Sequence, residues 1–194
     1  MKRALDVALA LILLALTLPV FVVVAILVRL SLGSPVIFRQ PRIGWRSRPF
    51  LLRKFRTMSD ARDARGVLLP DAARLTPVGR FLRSTSLDEL PQLVSVLSGE
   101  MSLVGPRPLL PEYLPRYSSR HARRHEVRPG LTGWAQVNGR AAVEWDDRLD
   151  LDVWYVEHQS LALDLKILLL TVARVLSRDD VTGPGNVPFQ GSRR

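Results

Sequence analysis

The sequence predicts an α/β protein, mostly helical with few short strands, carried behind an apolar N-terminal membrane segment. Three observations lead there. Residues 7–28 contain no charged side chain. Two short extended stretches, 34–40 and 49–56, flank a turn at Gly44. Beyond them, helix-length segments alternate with Pro- and Gly-rich breaks to the end of the chain. The 194 residues suffice for one domain with its own core plus a membrane segment. There is no cysteine, which excludes disulfides and thiolate metal sites. The net charge is +10, and Lys2, Lys54 and Lys166 are the only lysines among 28 basic residues. Arginine is the better planar, bidentate partner for phosphate, so nucleic acid, anionic lipid or a phosphorylated substrate all suit this field.

As a helix, residues 7–28 would extend about 33 Å, roughly one hydrocarbon-core thickness. The run is too long for the apolar core of a signal peptide, and no small-residue cleavage pattern follows it. Pro19, in its middle, lacks an N–H and collides with the carbonyl of Ala15, so a kink or break is expected there. Lys2 and Arg3 precede the run, and Arg29, Arg39 and Arg42 follow it. Such charges bias both ends toward the cytoplasm. A helix–break–helix hairpin that enters and leaves by one face satisfies both ends, whereas a straight span satisfies one.

The elements that follow are read in order. Residues 59–75 are polar, with Gly66 and Pro70, and form a surface loop with a helical turn. Thr76-Pro77 starts a helix, an N-cap followed by proline at the first position. Phe81 and Leu82 are expected to face inward, with Arg80 and Arg83 on another face. A second helix covers 90–97 and stops at Gly99. Gly105-Pro106-Arg107-Pro108 is irregular, an ordered loop or disorder. Residues 112–126 are charged and helical. Pro129-Gly130-Leu131-Thr132-Gly133-Trp134 and Asn138-Gly139 make two turns around a strand-like piece. Residues 143–156 and 161–176 are helices. The second is strongly apolar but interrupted by Asp164 and Lys166, so it suits a core more than a bilayer span, with the membrane interface as the alternative. The boundaries are a membrane segment over 1–31, a domain over 32–180 and an irregular tail over 181–194.

The segment Arg83-Ser84-Thr85-Ser86-Leu87-Asp88-Glu89-Leu90-Pro91-Gln92-Leu93 carries the most chemistry. Ser86 and Glu89 match a capping box, which would make the acids structural. Pro91 favours another frame, with Asp88 as N-cap, because proline then replaces an N–H that has no intrahelical partner. That frame puts two adjacent carboxylates at a helix entrance near Arg83, where they could hold a divalent cation or attack phosphorus. On the segment alone, capping outweighs catalysis. The loop of Arg107 and the stretch 128–140, with its glycines for close backbone approach, offer further phosphate-binding groups. Trp134 suits packing better than stacking on a base. Neither stretch matches a P-loop or dinucleotide fingerprint. His121, His125 and His158 lack zinc-ligand spacing, and His121 and His125 read as a solvated face. Asp146, Asp147, Asp150 and Asp152 read as a solvated helix face rather than a cation cluster.

Taken in order, these segments resemble one family. The apolar helix with its internal proline is followed by Pro35-Val36-Ile37-Phe38-Arg39-Gln40, Lys54-Phe55-Arg56-Thr57-Met58 and Ser86-Leu87-Asp88-Glu89-Leu90-Pro91-Gln92-Leu93. Then come Ser102-Leu103-Val104-Gly105-Pro106-Arg107-Pro108 and Arg128-Pro129-Gly130-Leu131-Thr132-Gly133-Trp134. Over about residues 2–180 the chain resembles the bacterial sugar transferases, the small monotopic phosphoglycosyl transferases. The resemblance implies a re-entrant membrane hairpin broken at Pro19, a small cytoplasmic catalytic domain with interfacial amphipathic helices, and a place on the cytoplasmic face of the bacterial inner membrane. It implies Mg²⁺ held by Asp88, with Asp88 as nucleophile toward a UDP-sugar. Glu89 would assist metal placement or proton handling. Arg83, Arg107, Arg140 and Lys54 would bind substrate. A polyprenyl phosphate would accept the sugar phosphate, inner-membrane lipid would surround the hairpin, a homodimer is open, and no nucleic acid is expected. The chain departs from the family at the break, where Leu18-Pro19 replaces the common Ser-Pro. It also departs after Gly44, with Trp45-Arg46-Ser47-Arg48. The competing reading is a membrane-tethered, non-catalytic binder of nucleic acid or anionic lipid, whose binding would collapse with salt and need neither Asp88 nor Mg²⁺.

Overall fold

A computed structural model describes residues 1–138, 144–177 and 189–192. The chain opens with helix α1 (Lys2–Leu32) and the antiparallel hairpin of β1 (Ile37–Ile43) and β2 (Pro49–Phe55). Helices α2 (Asp71–Arg74), α3 (Pro77–Ser84) and α4 (Gln92–Leu97) come next, then β3 (Ser102–Val104). Helix α5 (Ser119–Ala122), β4 (Gly130–Thr132), α6 (Trp134–Asn138), α7 (Trp145–His158) and α8 (Leu161–Ser177) complete the order. Strand β3 pairs with β4 in parallel, so the predicted mixed, mostly helical domain with few short strands is what forms.

Local signals are obeyed where short-range chemistry is decisive. Thr76 caps α3 by accepting the Gly79 N–H at 3.0 Å. A side chain at Gly79 would place its Cβ 1.9 Å from the Thr57 carbonyl, so only glycine lets α3 lie on that strand end. Leu82 is fully buried as expected, but Phe81 is 55% exposed, because the contact face of this short helix is spent on Gly79 and Leu82. Residues 111–126 are three short helical pieces rather than one helix, with Pro115 unable to donate within a continuous α-helix.

Helix α1 is assigned as one unbroken helix through Pro19, so the expected helix–break–helix is not what the backbone forms. Thr17 Oγ1 donates to the Leu13 carbonyl at 2.7 Å, not to Ala15, whose i+4 donor proline removes. The ends of α1 are held by the same body. Arg3 donates to the carbonyls of Val96 and Leu97 at 2.6 and 2.9 Å. The buried Asp6 carboxylate accepts from Ser102 Oγ and the Leu103 N–H. Lys2 pairs with Asp164 at 2.6 Å. At the other end, Val24 and Val28 pack with Phe55 and Leu82, and Arg56 donates to the Leu32 and Ser34 carbonyls. Between these anchors the outer face is apolar and bare, with Leu16 at 72% exposure.

Among the described residues, three hydrophobic clusters fill the interior. One joins Ala10 of α1 to Leu52, Val96, Leu103, Tyr155 and Ile167. The second is the Val24–Val28–Phe55–Leu82 group. The third contains Tyr113, Leu149 and Phe189 and no residue of α1. Helix α8 serves two environments. Asp164 and Ile167 are buried, while Leu165, Leu169, Val172 and Val175 line an exposed apolar stripe. Of the predicted irregular tail, residues 189–192 are described. They have no regular structure, yet Phe189 is fully buried against Tyr113, Tyr117 and Trp145, and Arg116 holds its carbonyl at 2.7 Å.

Candidate active site

The two adjacent acids lie on a 3-10 turn, Leu87–Glu89, between α3 and α4. Neither predicted frame is adopted. Ser86 takes a left-handed φ of 56° and its side chain caps nothing, and α4 begins only at Gln92. Pro91 has no N–H to extend an α-helix backward, so the turn closes by i→i+3 bonds from Glu89 to Ser86 and Leu90 to Leu87. Asp88 therefore sits before the helix rather than at its N-cap.

The turn gives the two carboxylates unequal surroundings. Glu89 Oε1 accepts from Lys54 Nζ at 2.5 Å and from Arg107 Nη2 at 2.9 Å. Burial alone would raise its pKa, but the Arg107 and Lys54 charges and their hydrogen bonds outweigh that and hold it at about 2. Asp88 is buried, with Lys54 at 3.7 Å as its ion-pair partner. Among the described residues no hydrogen bond reaches its carboxylate. Burial, helped by the Glu89 charge, pushes its pKa up against the pull of Lys54, Arg83 and Arg107.

Long-range packing delivers the cations. Lys54 comes from β2 and Arg107 from the loop after β3. That loop is pressed backbone to backbone on the 129–133 stretch. A Cβ at Gly105 would lie 2.3 Å from the Arg128 carbonyl, and one at Gly130 would lie 2.1 Å from the Gly105 nitrogen. The glycines read as leaving room for phosphate instead let two protein segments meet. Arg124 fixes the loop further, donating to the Arg107 carbonyl at 2.7 Å. Arg83 stands on the flank, its Nε bonded to Thr57 Oγ1 at 3.1 Å. Of the predicted set, Lys54, Asp88, Glu89 and Arg107 are in direct contact and Arg83 is beside them. Arg140 lies outside the described residues, as do the Asn138-Gly139 turn beyond Asn138 and Gly183 and Gly185 of the tail.

Several expectations are corrected. His121 and His125 are buried, not solvated. His121 lies between Ser192 Oγ at 2.7 Å and Asp150 at 3.0 Å. Burial and the Arg124 charge lower His125 to about 4. Asp152 is buried in a two-bond pair with Arg124, so the acids of α7 are not one solvated face. The physical reason is the same for all three residues, since α7 packs on the 119–126 segment and turns that side of each helix inward. His158 is exposed and stacks on Trp154, and Trp134 stacks on Trp154 at 4.8 Å, the packing role expected for it. Sequence reasoning missed Thr57, whose hydroxyl accepts from Arg83. It lies inside a segment already singled out, but nothing local showed what it faces.

Mg²⁺ takes oxygen ligands and often needs only one or two carboxylates with substrate phosphates. Among the described residues no group of three or more potential metal ligands occurs. Glu89 is held by two cations, which leaves Asp88 as the carboxylate with capacity to spare. The donor set fits Mg²⁺ held jointly with a phosphorylated ligand, not an all-protein cage.

The family model for bacterial sugar transferases matches residues 1–178. The chain is 54% identical to an uncharacterized sugar transferase, EpsL, of Bacillus subtilis (strain 168), over 99% of this chain and 96% of that protein. It is 42% identical to the UDP-glucose:undecaprenyl-phosphate glucose-1-phosphate transferase of Escherichia coli (strain K12), over 89% of this chain but 39% of that enzyme. To the undecaprenyl-phosphate galactose phosphotransferase of Salmonella typhimurium it is 37% identical, over 92% of this chain and 41% of that enzyme. The chain thus spans about two fifths of these two longer relatives. Matched along almost its whole described length, it belongs to the bacterial sugar transferase family, which makes it an enzyme of the phosphoglycosyl transferase type.

Proposed function

We propose that this chain transfers a sugar 1-phosphate from a UDP-sugar to undecaprenyl phosphate, releasing UMP, through a covalent phosphosugar on Asp88. One observation carries the reading. Of two adjacent carboxylates, Glu89 is neutralised by Lys54 and Arg107, while the buried Asp88 accepts no hydrogen bond among the described residues. An Asp88 oxygen attacks the β-phosphorus, and the bond from phosphorus to the bridging oxygen breaks. UMP departs with that electron pair. An oxygen of the polyprenyl phosphate then attacks the same phosphorus and expels the Asp88 carboxylate. A two-step route lets one site serve a soluble donor and a membrane acceptor in turn. Glu89, ionised well below neutral pH, orients Lys54 and Arg107 toward the phosphates rather than carrying protons. Arg83 supplements them. Asp88, with the donor's phosphates, would hold Mg²⁺, which when bound offsets charge on the transferring group.

The reaction is placed at the cytoplasmic face of the bacterial inner membrane, with α1 seated in one leaflet. Supporting this, a helix of 31 residues, about 46 Å long, has both ends tied to one domain, which a straight span could not accommodate. The bare stripe of α8 lies at the interface in the same seat. The chain has no cysteine, so Met1→Cys and Ser34→Cys variants test the seat by single-site labelling. Both are expected to react from the cytoplasmic side, and protection of one would refute the one-leaflet arrangement.

For the reaction, the detergent-purified chain is given Mg²⁺ and a panel of UDP-sugars without acceptor. About one equivalent of UMP and a sugar-phosphate mass on the Asp88 peptide are expected, both lost in Asp88→Asn. Turnover only when acceptor is present would remove Asp88 as nucleophile. The responding donor identifies the sugar.

A further inference from the structure

The turn between β1 and β2 sets an aromatic ring against two cations, and the transfer reading uses none of the three. The Arg46 guanidinium lies 4.4 Å from the centroid of the Trp45 ring, and that of Arg128 lies 4.7 Å from the same ring. Trp45 is 37% exposed and is fixed by its indole N–H, which donates to the Glu126 carbonyl at 3.1 Å. Among the described residues neither Arg46 nor Arg128 has an ion pair. Two acids adjoin the group, but Glu126 is paired with Arg123 at 3.2 Å and Glu100 with Arg53 at 2.9 Å.

The backbone strains Arg46. Arg46 (φ 54°) and Ser47 (φ 58°) are successive left-handed residues in the 3-10 turn Trp45–Ser47. Glycine takes that conformation freely, whereas a residue with a Cβ is strained in it. Bonds around the turn hold it there, from the Gly44 N–H to the Arg48 carbonyl at 2.8 Å and from the Arg48 N–H to the Trp45 carbonyl at 3.2 Å. Burial gives no reason for an arginine at this place, because Arg46 is exposed. A strained, exposed and unpaired arginine points to a binding role.

Its surroundings narrow the ligand. Arg128 Nε donates to the Gly99 carbonyl at 3.0 Å, and a Cβ on Gly99 would lie 3.4 Å from Arg3 Nη2. Arg3 opens α1, where Met1 and Leu5 are exposed ahead of the bare apolar face. The turn therefore stands at the polar end of the membrane-seeking helix, the level at which tryptophan and arginine meet headgroups. Stacking on the ring covers one face of each guanidinium and leaves its N–H edge for phosphate oxygens.

We infer that Trp45, Arg46 and Arg128 form a site for the phosphate of an anionic phospholipid, which docks the β1–β2 turn on the membrane beside the start of α1. The inference rests on the membrane seat proposed above, in that this end of α1 must lie at a bilayer surface, and is independent of the transfer reaction. Phosphatidylglycerol carries the net negative charge that phosphatidylcholine lacks, so the site discriminates between them.

In the test, the full chain in neutral detergent is offered equal amounts of the two lipids, and the lipid retained is counted by native mass spectrometry. The wild type should prefer phosphatidylglycerol. Arg46→Gly should lower that preference about 5-fold, the worth of one basic side chain at an anionic surface. The same variant relieves the left-handed strain, so it should unfold no more easily than the wild type, which separates a binding loss from a folding defect. Arg128→Gln should lower the preference by a similar factor. In vesicles of equal parts phosphatidylglycerol and phosphatidylcholine, a fluorophore on Ser47→Cys should be shielded from aqueous iodide, and less so in phosphatidylcholine alone. A preference unchanged in both arginine variants would overturn the site. So would displacement of phosphatidylglycerol by equimolar glycerol phosphate, which would make the ligand a free phosphate. An effect of Arg46→Gly confined to the KM for polyprenyl phosphate would overturn it too, assigning the arginine to the acceptor. Lost preference in Arg46→Gly together with protection of Ser34→Cys from cytoplasmic label would sink the one-leaflet seat and keep the site.

Discussion

Asp152 and Asp88 are both buried aspartates near an arginine-rich centre, and the protein treats them in opposite ways. Asp152 receives two hydrogen bonds from Arg124, whose remaining donors go to the Arg107 carbonyl and the Tyr117 hydroxyl. Every strong group in that cluster has a partner, which is how a buried ion pair offsets its desolvation cost. Asp88 is just as hidden but has one cation at 3.7 Å and no hydrogen bond among the described residues. Its neighbour Glu89 takes both strong donors. A saturated acid is structural, while on the function proposed above Asp88 retains capacity that a ligand can use. The Arg124–Asp152 pair serves the other site, because it fixes the carbonyl of Arg107.

Substitution at the two acids should separate these roles. The largest effect belongs to Asp88→Asn, expected to lower UMP release by about 10⁴-fold or more. The same variant should melt no lower than the wild type, since an amide relieves a buried carboxylate of an unmet need. Residual turnover within tenfold of wild type would end the contrast. Asp152→Asn should do the reverse. It leaves Arg124 buried without its counter-charge and should cost about 3–5 kcal/mol in denaturant unfolding. Its kinetic loss should follow the displaced Arg107 loop and appear in the donor KM.

A smaller effect tests the packing beside Arg124. His125 has a folded pKa of about 4, below its ordinary 6.5, so the folded state disfavours the imidazolium. That contribution is fully present above about pH 6.5 and is lost as pH falls toward 4, a change of about 2–3 kcal/mol. Urea unfolding at pH 7 and pH 4.5 should show it, and His125→Gln should flatten the difference. An unaltered slope in the variant would assign the acid sensitivity to carboxylates instead. The smallest effect is expected at Thr17→Val, within about 0.5 kcal/mol, because that hydroxyl bonds a carbonyl already served by the helix ladder. A loss of membrane retention in this variant would show that Thr17 supports Pro19 after all.

Legibility in the sequence followed the range of the forces involved. The β1–β2 hairpin, the Thr76 cap, the stop at Gly99 and the apolar helix were readable because each depends on neighbours a few residues apart. The adjacency of Asp88 and Glu89 was equally plain, though their 3-10 turn was not. It reflects Pro91 and the left-handed Ser86 acting together. His121, His125 and Asp152 were misjudged as solvated, because a polar helical pattern looks the same whether its partner is water or an oppositely charged helix. Phe189 looked like part of a loose tail, yet it fills a space bounded by Tyr113, Tyr117 and Trp145.

By itself the sequence determined that this protein has a membrane-seeking helix, a small mixed domain and a pair of neighbouring acids. Periodicity, turn chemistry and covalent adjacency are local properties. The tertiary structure decided which acid is free. Lys54 lies 35 residues before Glu89, and Arg107 lies 18 residues after it. Only folding brings both cations to the same carboxylate oxygen, and electrostatic pairing at such separations is invisible along a chain. The structure likewise decided that both ends of α1 meet one body, because that depends on what the helix packs against, not on its composition.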